Sequence, residues 1–274
     1  ERNRFTMFFV KYFMTPLVGA VWSCSPDDAM RYPARYLFVF LQHHGMLTVF
    51  DSPKWRTVLG GSATYVHAVL AHIDEVKAAT PVRSIRRTGN RVQVTAGGDA
   101  PRMFDAAVVA THPDQALRML EQPSPSERST LGAIAYTTNL AQLHTDESVL
   151  PRHHRARSSW NYLAGGDGVV VTYDITRLMR LDGPRRFLVT LGGRDRIDPA
   201  AVLAEMTYSH PLYTAQSVAA RQELPALDDD LIVFAGAYHG WGFHEDGAAS
   251  GLRAARRLGA DWSSATPLRT GALS

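Results

Sequence analysis

Cysteine and lysine are the residues that this sequence uses least. Its 274 residues include one cysteine, Cys24, and three lysines, Lys11, Lys54 and Lys77. A single cysteine excludes a framework of internal disulfides and favours a reducing compartment, so we expect a cytoplasmic protein. Cys24 also precedes a predicted helix start and has no paired histidine, which argues against a catalytic thiol.

Blocks of basic residues are absent as well. The 29 basic and 26 acidic residues give a formal net charge of +3, and basic pairs such as Arg86-Arg87 stand alone. Isolated pairs of this kind are typical of solvated faces. We therefore expect no nucleic acid partner.

No uninterrupted apolar run is long enough for a membrane span. The most apolar segment, residues 5–22, contains Lys11 and Pro16, and a spanning helix needs about 20 predominantly apolar residues. The segment also lacks the pattern of a cleaved secretory leader. We expect a buried helix that breaks near Thr15-Pro16, with peripheral contact to a membrane surface as the alternative.

A dinucleotide-binding motif is missing too. Such a motif needs a strand, Gly-x-Gly-x-x-Gly and a helix in direct succession. The glycine clusters at 97–98, 165–168 and 192–193 lie in hairpin contexts instead. The residues that cradle a pyrophosphate are therefore not in this sequence.

The sequence does contain one strand–loop–helix unit, close to its end. An apolar run at 231–236 predicts a buried strand, 237–247 a glycine-containing loop, and 248–258 a helix stopped by Gly259. Free N–H groups and the helix dipole would face the loop. Gly247 and the alanines after it would leave the first helical turn bare, and Ser250-Gly251 would thin the helix against a neighbour. This pattern predicts a cofactor seat.

The segment at 234–251, Phe-Ala-Gly-Ala-Tyr-His-Gly-Trp-Gly-Phe-His-Glu-Asp-Gly-Ala-Ala-Ser-Gly, resembles the C-terminal flavin-binding segment of the flavin-containing amine oxidase superfamily. It is most similar to a bacterial branch of NAD/FAD-binding, amine-oxidase-like proteins. The resemblance implies a flavin-dependent oxidoreductase with FAD as cofactor and a small apolar substrate. It also implies that the chain corresponds to the C-terminal two-thirds of such a protein, with the Gly-x-Gly-x-x-Gly unit upstream.

The resemblance implies roles for particular residues. Trp241 and His244 would be catalytic, the first flanking the flavin ring or the substrate and the second handling a proton. The residues that it implies for cofactor binding are Val82, Ala110, Gly236, Ala237, Gly240, Gly242, Phe243, Glu245, Asp246 and Gly247.

The implied fold is a mixed α/β fold in which an FAD domain is interleaved with a substrate domain. We expect a helical part of the substrate domain at 1–57, FAD-domain segments at 58–121 and 227–262, the substrate-domain sheet at 122–226 and a disordered tail at 263–274. Short strands with Gly or Pro between them, from 140 to 191, predict that the sheet is antiparallel.

Local patterns predict the remaining elements. They are a helix start at Ser25-Pro26, a helical aromatic stripe over 29–44, a strand at 55–59, a helix from 63 to 73 capped by Ser62, strands at 80–85, 91–95 and 104–110, a helix at 114–120, a linker at 122–126 and a helix at 197–208.

Two departures from the family pattern leave the reaction open. Ala237 occupies a position where the family commonly has an acid, and the stretch 134–144 lacks the lysine that many members place near the flavin. Amine oxidation is therefore less well supported than membership. Two alternatives remain: a metal-dependent hydrolase that uses His239, His244, Glu245 and Asp246, and a non-catalytic remnant that binds an apolar ligand or partner.

Overall fold

A computed structural model describes residues 5–48, 50, 54, 56–163 and 170–260. The chain divides into two compact units, one formed by residues up to 76 with 135–215 and the other by 77–134 with those from 216 onward. The fold class is confirmed as mixed α/β with antiparallel sheets. The bounds of the units differ from the expected ones in three places. Residues 58–76 belong to the first unit, and residues 122–134 and 216–226 belong to the second. The functional assignment of the units stays a prediction, and Trp55 and the tail at 263–274 lie outside the described residues.

The first unit begins with a helix that differs from the expected one. Helix α1 (Met7–Phe9) continues through a π-helical stretch (Val10–Met14) into α2 (Thr15–Trp22) without a break. Pro16 lies in the first turn of α2, where its missing N–H is tolerated, and the N–H of Thr15 reaches back five residues to the carbonyl of Val10. The prediction that the helix is buried is wrong for its first half, because Phe8 is 74% exposed. Contact with a membrane surface stays a prediction.

The helix start at Ser25 is confirmed, since its Oγ accepts a hydrogen bond from the N–H of Asp28 at 3.1 Å. The aromatic segment after it forms two helices, α3 (Pro26–Arg31) and α4 (Ala34–His43), because Pro33 keeps the preceding residue extended. Trp22 packs on Phe40 with 4.8 Å between ring centroids. Tyr32, Tyr36 and Phe40 of the stripe are therefore core, whereas Phe38 is 43% exposed.

The next prediction is wrong in three respects. Residues 56–58 form no strand among the described residues, and α5 (Ala63–Leu70) ends earlier than expected. The Ser62 side chain makes no capping hydrogen bond because its backbone is already helical.

The first unit also contains the predicted antiparallel sheet, with strand order β6-β7-β8-β5-β9. Its strands are β5 (Tyr136–His144), β6 (Trp160–Leu163), β7 (Val170–Asp174), β8 (Leu188–Leu191) and β9 (Val202–Pro211), and the short helix α8 (Ile175–Met179) follows β7. The predicted helix at 197–208 is wrong. Asp198 does cap a turn, accepting from the N–H of Ala200 at 2.9 Å, but that turn ends at Ala201. The residues after it pair along the whole of β5 as an edge strand.

The second unit has a three-stranded antiparallel sheet and a two-stranded parallel one. The first contains β1 (Val82–Thr88), β2 (Arg91–Ala96) and β3 (Arg102–Phe104), and the second contains β4 (Ala107–Val109) and β10 (Ile232–Phe234). The expected strand at 104–110 is thus divided between two sheets. Helices of this unit are α6 (Pro113–Met119), α7 (Pro125–Gly132), α9 (Ala215–Glu223, starting at the boundary) and α10 (His244–Arg257).

The segment predicted as a linker, 122–126, is instead the start of α7. The Ser124 Oγ accepts from the N–H of Glu127, and the Glu127 carboxylate accepts from the N–H of Ser124 at 2.6 Å. This capping box fixes the helix start. The other Glu127 oxygen receives a hydrogen bond from Arg87 Nη2 at 2.8 Å.

Arg87 ties this helix to the approach to β10. Its Nε donates to Asp229 at 2.9 Å, and the Asp229 carboxylate accepts from the N–H groups of Leu231 and Ile232. Glu127 is 2% exposed and β10 is fully buried. The network therefore sets where β10 begins.

In the part of the chain that the structure describes, no helix is both long and apolar enough to cross a membrane.

Candidate functional site

The candidate site lies where the two parallel strands of the second unit end. β4 and β10 pair in register, Val109 opposite Phe234, and the N–H of Ala235 continues the ladder to the carbonyl of Val109 at 3.1 Å. Ala110 and Gly236 follow these strands and therefore lie at the same edge. In open α/β sheets, ligands bind outside the carboxyl ends of parallel strands.

Gly236 joins β10 to helix α10. Its N–H donates to the Oγ of Ser250 at 2.8 Å, and that hydroxyl donates to the carbonyl of Gly247 at 2.7 Å. Ser250 is fully buried, which confirms that it lies where the helix packs on its neighbour. A Cβ on Gly236 would collide with the ring of Tyr238. The glycine is thus explained by packing within the protein, and its role toward a cofactor stays a prediction.

The loop after Gly236 is folded tightly on itself. A turn of 3₁₀ helix spans Ala237–His239, and the N–H groups of Gly240 and Gly242 both donate to the carbonyl of Ala237, at 3.0 and 3.2 Å. Gly242 has a φ of 93°, which a glycine adopts without strain. A Cβ on Gly240 would collide with the Asp246 carboxylate. Two of the loop glycines therefore serve the turn itself.

Helix α10 starts four residues earlier than predicted, at His244, so Gly247 lies in its first turn and not in the loop. Asp246 causes the early start, because its carboxylate accepts from the N–H of Phe243 at 3.0 Å. The first turn is consequently not bare: it carries Glu245 and Asp246. The two carboxylates complement the helix dipole themselves and oppose a second anion there.

Among the residues of the site, His239 has the most strongly shifted pKa. Its Nδ1 accepts a hydrogen bond from Arg253 Nη2 at 2.7 Å, so the ring proton must reside on Nε2. Burial, followed by the positive charges of Arg253 and Arg221, lowers the pKa of His239 to about 3. Its Nε2 is buried and makes no hydrogen bond within the described residues. The result is a neutral imidazole with an unused buried donor.

From the sequence, His239 was predicted only as a possible metal ligand. The partner that fixes its tautomer, Arg253, is fourteen residues away and in another element, and only the period of α10 could have suggested that the two meet. His244, the residue predicted to handle a proton, is exposed.

The metal-site alternative is not supported by this geometry. The described residues contain no group of three or more His, Cys, Asp or Glu side chains that could hold an ion. The Nδ1 of His239 is also unavailable to a metal, because it accepts a hydrogen bond from the guanidinium of Arg253. Cys24 is no nucleophile either, because burial raises the pKa of its thiol to about 12.

The remaining predicted residues are divided between two places. Trp241 is half-buried and Phe243 exposed, and both lie in the loop before α10. Val82 instead opens β1, opposite Ala96 in the three-stranded sheet. The structure therefore brings together the residues of the 236–247 loop and Ala110, whereas Val82 belongs to another sheet.

These residues fit the flavin ring of FAD better than its pyrophosphate. His239 offers a buried N–H donor, and a Cβ on Gly247 would meet only the backbone nitrogen of Ala237, at 3.9 Å. Both features suit the polar edge of a flavin ring that approaches the backbone closely. The acids Glu245 and Asp246 do not suit a pyrophosphate at the same helix start.

Several solved structures share the fold of this chain. A CLA-producing fatty acid isomerase from P. acnes matches 89% of this chain with a TM-score of 0.63 at 13% identity. Cyclohexylamine oxidase from Brevibacterium oxydans IH-35A matches 89% with a TM-score of 0.58 at 15% identity. A putrescine oxidase double mutant matches 73% with a TM-score of 0.52 at 16% identity. The chain covers 62%, 62% and 53% of their respective lengths.

No curated protein sequence matches the chain at a significant level. The family model for flavin containing amine oxidoreductases, however, matches residues 1–195. That range is well over half of the chain, and it includes four of the five strands of the antiparallel sheet, β5 to β8. By this match, the chain belongs to the flavin containing amine oxidoreductase family.

Proposed function

We propose that this chain is part of an FAD-dependent oxidoreductase that acts on an apolar small molecule. The observation that carries the proposal is the neutral His239, whose unused Nε2 donor lies in the loop at the carboxyl end of two parallel strands. A buried donor without a partner costs free energy, so it calls for a partner, and a bound ligand can supply one. In a chain of this family, a flavin is the ligand that the donor fits.

The flavin would supply the redox chemistry, and the protein would supply position and electrostatics. His239 would donate to the flavin through Nε2, with Arg253 holding the ring orientation. Trp241 and Phe243 would present aromatic surface to the ring or the substrate, and His244 would take or give the substrate's proton.

Stable FAD binding would require a dinucleotide-binding unit joined to this chain. The chain lacks Gly-x-Gly-x-x-Gly, and Glu245 and Asp246 disfavour a pyrophosphate at the start of α10. Several charge-assisted hydrogen bonds would thus be missing, and each 1.4 kcal/mol of lost binding energy weakens affinity about tenfold. We expect the natural polypeptide that carries this chain with such a unit to be yellow, and the 274-residue chain alone to be colourless.

The absorbance spectra of the two purified polypeptides test these statements separately. Stoichiometric FAD on the 274-residue chain would contradict the need for a further unit. Absence of flavin from both polypeptides would contradict the oxidoreductase proposal and favour a non-catalytic remnant.

Substitution of Gly247 locates the flavin on the chain. A valine there would put methyl groups into the space beside Ala237, so Gly247→Val in the yellow polypeptide should abolish flavin retention without unfolding the protein. The matched control is Gly251→Val, one turn further along α10, where a Cβ meets nothing within 4 Å. A normal flavin complement in Gly247→Val, with circular dichroism like that of the control, would rule out a flavin at this loop.

A further inference from the structure

A cavity lies in the first unit, along β6, one of the two edge strands of the five-stranded sheet. Its volume is about 710 Å3, and it is bounded by β6 on one side and by the residues around Leu150 on the other. Small-molecule sites have volumes of roughly 300–1,000 Å3. The cavity is therefore of the size that binds a metabolite.

Part of the cavity wall is apolar, and the aromatic part of it is fixed. Val149, Trp160 and Leu163 line the cavity and are partly exposed. The Trp160 ring meets Tyr173 of the neighbouring strand edge-on, with 6.0 Å between centroids. These side chains offer an apolar ligand a surface that does not have to rearrange.

Positive charge accompanies the apolar walls. Arg152 and Arg196 are among the lining residues, and no acid is among them within the described chain. The nearby Glu147 is neutralised by other arginines, since its Oε2 lies 2.7 Å from Arg157 Nη1 and 3.5 Å from Arg186 Nε. The charge of Arg152 is thus not offset by this carboxylate.

A neutral hydrogen-bond donor lines the cavity together with these arginines. Tyr162 lines the cavity beside Leu163, and burial raises the pKa of its phenol. The hydroxyl therefore stays protonated at neutral pH and can donate a hydrogen bond to an anion.

The frame of the cavity is held by its own hydrogen bonds. The Asn161 side chain accepts from the N–H of Ser158 at 3.0 Å and donates to the carbonyl of the same residue at 2.7 Å. Arg157 Nε donates to the carbonyl of Pro151 at 3.0 Å. Both walls are therefore set without a ligand, as preorganised binding sites require.

We propose that this cavity binds an apolar molecule with a single carboxylate, whose head group pairs with Arg152 while its body lies against Val149, Trp160 and Leu163. A planar guanidinium suits the two oxygens of a carboxylate, and the apolar walls exclude a small hydrophilic anion as the preferred ligand. The site lies in the unit that does not contain His239, and its occupancy does not depend on flavin.

Titration calorimetry of the 274-residue chain with dodecanoate tests the proposal. We expect saturable binding of dodecanoate and none of dodecyltrimethylammonium, which has a similar apolar body and the opposite charge. Arg152→Gln should weaken dodecanoate binding about tenfold, the equivalent of 1.4 kcal/mol. Arg155→Gln is the matched control, because Arg155 is an exposed arginine of the same segment that does not line the cavity.

A second variant fills the space instead of removing the charge. Ala156 lines the cavity and is exposed, so Ala156→Phe should abolish binding and leave the circular dichroism spectrum unchanged. Equal affinity of Arg152→Gln and Arg155→Gln for dodecanoate would overturn the proposal. Equal binding of dodecanoate and dodecyltrimethylammonium would overturn it too. Binding only to anionic phosphatidylglycerol vesicles, and not to free dodecanoate, would assign the arginines to a lipid surface and overturn it as well.

Discussion

The buried imidazole of His239 should make the stability of the protein depend on pH. In the folded state burial and the charges of Arg253 and Arg221 hold its pKa near 3, whereas an unfolded chain leaves histidine near 6.5. Between these values the unfolded state binds more protons. The free energy of unfolding therefore falls as the pH drops below about 6.5, and this loss is complete only below the folded pKa.

The size of the effect follows from the two pKa values. Each pKa unit is worth 1.36 kcal/mol, and integrating the proton uptake from about pH 7 to about pH 5 gives a loss of about 2 kcal/mol. His239→Gln removes the titrating group and keeps an acceptor within reach of Arg253. The parent should therefore lose about 2 kcal/mol more than this variant over the same pH interval.

Urea unfolding at the two pH values measures the difference, and nuclear magnetic resonance of the imidazole measures the protonation directly. His244→Gln is the control, because it removes an exposed histidine from the same segment, and we expect its loss to equal that of the parent. The reasoning fails if the parent and His239→Gln lose stability in parallel. It also fails if the His239 resonances shift between pH 7 and pH 6.

Two further predictions concern the stability of the second unit. Arg87→Gln leaves the buried carboxylate of Glu127 without its cation and should lower the free energy of unfolding by about 3 kcal/mol, whereas Arg86→Gln, whose ion pair is half-exposed, should change it by less than about 1 kcal/mol. Gly240→Ala should destabilise the protein because its Cβ collides with a carboxylate, whereas Gly251→Ala, in open space within a helix, should stabilise it by about 0.5–1 kcal/mol. Urea denaturation checks both pairs, and equal values within either pair would contradict the corresponding contact.

Patterns that depend on a single element were predicted well from the sequence. The run at 231–236 produced a fully buried β10, and the alternating segments between 140 and 191 produced the antiparallel sheet. The helix start at Ser25 was confirmed because a cap, a proline and two acids lie within one turn. In each case the residues that identify the element are neighbours in the chain, although the partners of the strands are not.

Predictions failed where a distant partner decides. The segment 197–208 starts with a helix cap, but pairing with β5 converts it into β9, and tertiary pairing overrides a local propensity. The segment 122–126 is a different case: it reads as a linker because of its prolines, although the capping box that Ser124 forms with Glu127 is a local signal for a helix start. His239 was considered only as a metal ligand in one alternative, because its Arg253 partner is invisible in the local pattern.

The glycines of the 236–251 segment show why the sequence alone could not define the candidate site. They look alike in the chain, yet they differ in what surrounds each Cα. Side chains of the protein fill the space beside Gly236 and Gly240, and Gly242 serves a left-handed turn. Only Gly247 combines a place beside the loop with room for an outside atom. A glycine that its own fold requires is no evidence for a ligand, so the inference of a cofactor rests on Gly247 and on the unused donor of His239.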